Sequence, residues 1–245
     1  MQKLGTRVLL VTIFLLLKCA LQAQTDTTFW FVAPDCTWPA NAAANTESPI
    51  YLRLTSQNAP AVVTISLPAN PSILPITVSL AANAVSSVNL TPYFSSIENA
   101  PANQVLNKGI LIRSTNFITA YYEQSSLYNP DIFALKGSNA LGTEFIIPTQ
   151  NTWNNNTVYT PPAPTNSFEI VATENNTQVT ITPKSNIVGH SAGTAFTITL
   201  NRGQTYSATA TGAAGNQHLG GSTVSATAPI AITTKDDFLT DPAYG

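Results

Sequence analysis

The sequence predicts an all-β fold made of two tandem, internally duplicated antiparallel β-sandwich units, with no substantial helix after an N-terminal signal peptide. Three observations carry that expectation. Apolar and polar residues alternate over short runs rich in Val, Ile and Thr, the period of half-buried strands. The 17 prolines gather between those runs, as at residues 68–75 and 161–164, because proline cannot donate to a strand ladder. Similar segments also recur in one order at a nearly constant separation, which marks a repeated unit.

Residues 1–23 read as a secretory signal peptide. Lys3 and Arg7 supply a positive start, residues 8–17 an apolar run, and Ala20 and Ala23 the small residues of a cleavage site. A membrane helix needs roughly 20 apolar residues, and Lys18 ends this run well short of that, so no membrane span is expected in the mature chain. Lys18 also stands where lipidation at Cys19 would require a small residue.

The first unit is expected over residues 24–136 and the second over 137–245. TTFWFVAP (27–34) answers GTEFIIP (142–148), placing Phe29 and Phe145 116 positions apart. Thr37-Trp38 answers Thr152-Trp153, and YLRLTSQN (51–58) answers FEIVATEN (168–175). Val63-Thr64-Ile65 matches Val179-Thr180-Ile181, ITVSL (76–80) matches FTITL (196–200), and GILIRSTNFITA (109–120) matches GSTVSATAPIAI (221–232). Within the units, Val63, Ile65 and Leu67 share one strand face, as do Phe196, Ile198 and Leu200. Tyr121 and Tyr122 fall on opposite faces of theirs. Asn201 to Gln204 reads as a hairpin turn leading to Tyr206, Ala208 and Ala210, with Gly203 supplying the positive φ. The final KDDFLTDPAYG has no closing strand, which suggests that the sequence is a fragment of a longer protein.

Composition narrows the function. Loss of residues 1–23 removes Lys3, Arg7 and Lys18 and leaves seven basic against twelve acidic residues, a net charge near −5 that makes nucleic acid an unexpected partner. Charged residues are 9% of the chain, against about 25% in ordinary soluble domains. Hydroxyls and amides must therefore cover the surface, as they do in extracellular sandwiches and adhesins. Cys36 is the only cysteine left after cleavage, so no internal disulfide can form.

The residues offer little for catalysis. His190 and His218 are the only histidines, and GHSAG (189–193) lacks the helix that must follow the serine of a nucleophile elbow. Two histidines and one cysteine do not make a usual zinc set. Calcium needs only loop oxygens, for which Asp236, Asp237 and Asp241 are the best cluster, although no known calcium motif surrounds them. Trp38 and Trp153 hold matching places in the repeat, which suits a shared packing role; exposed on a β-face, the same ring could stack on sugars. QNTWNNNTVYTPP (150–162) is a long polar and aromatic loop, so Trp153 and Tyr159 are the candidate ligand-binding residues.

The stretches NPDIFALKGSNALGTEFIIPTQ (129–150), SFEIVATENNTQVTITP (167–183), TLNRGQTYSA (199–208) and PIAITTKDD (229–237) resemble the IgG Fc-binding protein N-terminal domain family, across nearly all of the mature chain. The bacterial, Bacteroidetes-type members are large secreted or surface proteins that continue past the KDD segment, and the resemblance implies such a setting here. It carries over strands and turns, with no catalytic residues, and it does not make antibody the ligand. The resulting expectation is a non-enzymatic adhesion module at the start of a larger secreted or cell-surface protein. Its loops would recognise an extracellular glycoprotein, mucin or polysaccharide, without a cofactor unless calcium binds. A structural spacer without a ligand, or an accessory carbohydrate-binding region of a larger secreted enzyme, are the alternatives.

Overall fold

The computed structural model describes residues 25–36, 49–125, 130–157 and 163–240. The signal peptide, Trp38, Tyr159 and Asp241 lie outside them.

The chain opens with β1 (Asp26–Phe31), β2 (Ile50–Ser56), β3 (Ala61–Ser66), β4 (Ile76–Leu80) and β5 (Val85–Asn89). Helical turns at Thr91–Tyr93 and Phe94–Ile97 lead to β6 (Val105–Leu106), β7 (Ile110–Gln124) and β8 (Asp131–Ala134). A turn at Gly137–Ala140 precedes β9 (Gly142–Ile146), β10 (Asn154–Asn155), β11 (Asn166–Ala172) and β12 (Thr177–Thr182). β13 (Phe196–Leu200), β14 (Thr205–Thr209), β15 (Thr223–Asp236) and β16 (Leu239–Thr240) complete it. Helix among the described residues is confined to short turns, the longest run being the two adjoining ones at 91–97, and the fold is all-β as expected. No helix among them is long and apolar enough to cross a membrane.

Two sheets are organised around the long strands β7 and β15. The first runs β4-β3-β7-β2-β5, with β1 and β8 also on β7; the second runs β13-β12-β15-β11-β14-β6, with β9 also on β15. The ladders between the described strands are antiparallel, and one isolated bridge, Ala33 with Glu98, is parallel. The start of β7 pairs with β1 and β3, whereas its end pairs with β2 and β8. Inward residues from both ends, among them Ile112, Ile118 and Tyr122, meet Val63, Ile65, Leu52 and Leu54 in one buried cluster. The strands flanking the start therefore face those flanking the end, a two-layer sandwich with β7 shared between layers. β15 is arranged in the same way, with β9 and β12 at its start and β11 along its end. Its core holds Phe168, Ile170, Val179, Ile181, Leu200 and Tyr206.

The expected alternation is present at side-chain level. Val63, Ile65 and Leu67 are buried, and Tyr122 is buried while Tyr121 is not. β3 and β12 share one burial pattern, and β4 and β13 share another. Two details differ from the sequence reading. The turn at Asn201–Gln204 forms, with Gly203 at φ +81, yet it is not a hairpin: β13 pairs with β12 and β14 with β11, so the turn carries the chain between layers. The second difference concerns register. Aligning Tyr51 with Phe168 puts a half-exposed residue opposite a core one; the buried faces match Leu52 with Phe168 and Leu54 with Ile170, a slip of one position. One residue of slip inverts every side chain of a strand, so burial decides the register where letter similarity does not.

The two sandwiches are joined closely. A third buried cluster unites Trp30, Val32 and Leu111 from the first with Val171 and Ala231 from the second. β6, supplied by the first half of the chain, adds a strand to the outer edge of β14. That arrangement explains why all seven residues of β11 are buried, where the alternating sequence suggests a wet face for Ser167 and Glu169.

Candidate functional site

The end of β15 is where the polar chemistry of the molecule concentrates. β11 runs antiparallel beside it, pairing Asn166 with Asp236 and Glu169 with Thr233. Residues 233–237 consequently reach the seam between the sandwiches, with β10 and β16 forming a small ribbon just beyond.

Gln150 anchors one side of this region. Its Oε1 accepts from the backbone N–H groups of Thr152 and Trp153, both at 2.8 Å. Its Nε2 donates to the Trp153 carbonyl at 3.0 Å and the Asp236 carboxylate at 2.7 Å, and lies 2.8 Å from His218 Nδ1. Asn155 Nδ2 donates to Asp236 Oδ1 and to the Asp237 carbonyl at 3.0 and 2.6 Å. One amide thus clamps the backbone of Trp153 on both sides while the indole stays 48% exposed. The packing role that suited Trp153 in the sequence is not the one it has.

Three of the residues singled out from sequence fall together. Gln150 links Trp153 to Asp236, and Asp237 is adjacent. Asp236 is engaged by Gln150, Asn155 and His218 Nδ1, the last at 3.2 Å. Asp237 pairs with Lys235 at 2.9 Å. No cluster of three His, Cys, Asp or Glu groups suited to a metal occurs among the described residues; Tyr159 and Asp241 lie outside them. The side chain of His218 is 0% exposed. His190 stacks on Phe196 with ring centroids 3.5 Å apart, and its Nε2 lies 3.1 Å from Asn103 Oδ1.

Sequence reasoning missed the second side of the region, a polar cavity of about 260 Å³ between the sandwiches. Lys235 spans its wall, donating to the Asp35 carbonyl at 2.6 Å and to Thr165 Oγ1 at 2.9 Å. Burial pulls the Lys235 ammonium down, but the Asp237 carboxylate outweighs that and holds it above its ordinary value. Facing it, Glu169 accepts from Asn99 Nδ2 at 2.6 Å, Ser167 Oγ at 2.7 Å and Ser207 Oγ at 3.1 Å. Burial pushes this carboxyl up to about 7, against the lowering effect of the Ser167 and Asn99 hydrogen bonds. Asn99 belongs to the first half of the chain and also accepts from Thr205 Oγ1 at 2.6 Å, so the cluster ties the two halves together.

A larger cleft of about 490 Å³ opens beside it, walled by β1, β7 and β8 on one side and the end of β15 on the other. Phe31 and Phe133 line it and pack on the buried Tyr122 behind them, with ring centroids 4.8 to 5.5 Å apart. Cys36 is buried, and its thiol donates to Gln124 Oε1 at 3.3 Å.

This seam and the exposed Trp153 loop lie inside, or against, one stretch of chain for which a relationship is known. Residues 132–243 match the family model described as IgGFc binding protein. The family match takes in β8 and every later strand, a shorter span than the near-complete resemblance read from sequence. IgGFc binding is a family of binding modules and not a known enzyme family. No curated protein and no solved structure matches the chain.

Proposed function

We propose that this chain is a non-enzymatic extracellular or cell-surface adhesion module, exported through residues 1–23, that recognises a glycoprotein, mucin or polysaccharide through its loops. The observation that carries the reading is Trp153: a large aromatic ring half exposed on a polar loop, with its backbone locked by Gln150, within the region that matches a binding-module family. Fixing the backbone that carries an aromatic ring lowers part of the entropy cost of recognition, and an exposed indole suits stacking on sugar rings. The equal strand order of the two sheets supports a duplicated unit, with boundaries near residues 24–136 and 137–245, although only the second half bears the family match. A ligand-free spacer is the second reading, favoured by the third buried cluster and the β6–β14 pairing, which stiffen the joint between halves.

A glycan and mucin array separates the two. The adhesion reading expects the secreted, folded chain to bind at least one glycan class, and Trp153→Ala to lose at least ten-fold in affinity. An array without signal from folded protein favours the spacer.

A further inference from the structure

We infer that the 490 Å³ cleft between the sandwiches is a second, separate binding site, which takes a single neutral sugar ring such as the terminal residue of a glycan. This rests on the glycan-binding reading but assigns recognition to different residues. The decisive group is Gln124 at the end of β7. Its side chain is 7% exposed and lines the cleft. Its Oε1 is taken by the Cys36 thiol, while its Nε2 has no hydrogen-bond partner among the described residues. Buried amide donors are nearly always paired, so an unpaired one on a cleft wall marks a place for an acceptor from outside.

The remaining walls define what that acceptor belongs to. Phe133 and Trp30 supply apolar ring surface, and Thr233 a hydroxyl, on opposing sides. Asp131 and Lys136, both exposed and of opposite sign, flank the cleft, so its walls give no preference for an anion or a cation. Lys235, Asp236 and Asp237, which also line the cleft, are already engaged within the protein. The volume falls in the range of small-ligand sites, about 300–1,000 Å³. Aromatic carbon faces combined with one buried amide donor and neutral hydroxyl partners suit a pyranose, which has apolar C–H faces and equatorial hydroxyls.

Saturation-transfer NMR on the intact chain, with the methyl glycosides of galactose, N-acetylglucosamine and fucose as probes, tests the assignment. At least one glycoside should bind the wild type, bind Gln124→Leu at least ten-fold more weakly, and bind Trp153→Ala unchanged. Circular dichroism confirms folding of both variants. The inference is overturned if no glycoside binds the wild type, if Gln124→Leu binds as the wild type does, or if Trp153→Ala alone abolishes binding. A positive array with no glycoside in the cleft removes this site and leaves the adhesion reading standing; a silent array with glycoside bound does the reverse.

Discussion

At the scale of the residue, the most consequential group is Glu169, because its charge is set by burial rather than by sequence. Its folded value near 7 lies above the ordinary 4.5, so the native state binds the proton more tightly than the unfolded chain does. The stability from that proton is fully present below pH 4.5 and is lost as pH rises through about 7, an effect of about 3 kcal/mol by linkage. Glu169→Gln keeps an acceptor for Asn99 and removes the titration. Denaturant midpoints measured from about pH 5 to 8 should fall for the wild type and stay level for the variant; parallel curves would show that Glu169 does not titrate there. None of this was legible in FEIVA, where the alternation reads as a solvated glutamate. Two of the three groups that bond it, Asn99 and Ser207, are distant in sequence, and Gln150 is hidden for the same reason: an amide in a polar loop is one among many until the fold brings Asp236 to it.

At the scale of the element, strands were readable and their partners were not. Val63, Ile65 and Leu67 announce β3 by period alone, and Gly203 announces a turn. Whether that turn closes a hairpin depends on which layer receives the next strand, and the sequence around it carries no such information. The dual pairing of β7 is hidden likewise, since its inward residues keep one parity from Ile110 to Gln124. Gly109, just before β7, shows how tightly the elements meet. A Cβ there would stand 2.5 Å from Val171 Cγ2 and 2.6 Å from the Gly203 carbonyl, beside the hydrogen bond from Gly109 N to that same oxygen. Gly109→Ala should therefore destabilise the chain by about 1–3 kcal/mol in urea titrations. A change below about 0.5 kcal/mol would mean that the two halves are not in contact at this point.

At the scale of the whole molecule, two cores and a shared seam make a body in which each half supports the other. Ile170 is 0% exposed in the second core, and Ile170→Ala should cost about 2–5 kcal/mol. Because β6 from the first half edges the second sheet and Val171 and Ala231 complete the third cluster, that loss should lower a single unfolding transition shared by both halves. Two separated transitions, with only one of them shifted, would show that the seam does not couple the halves. The same seam gives the binding surfaces their rigidity, since Trp153 and the cleft both depend on the end of β15. The claim on which the account stands is that this rigid surface binds glycans. Surface plasmon resonance of the secreted chain over immobilised mucin tests it most directly. Saturable binding that Trp153→Ala weakens at least ten-fold is the predicted result, and folded wild-type protein that shows no binding, or a variant that binds as well as the wild type, contradicts it.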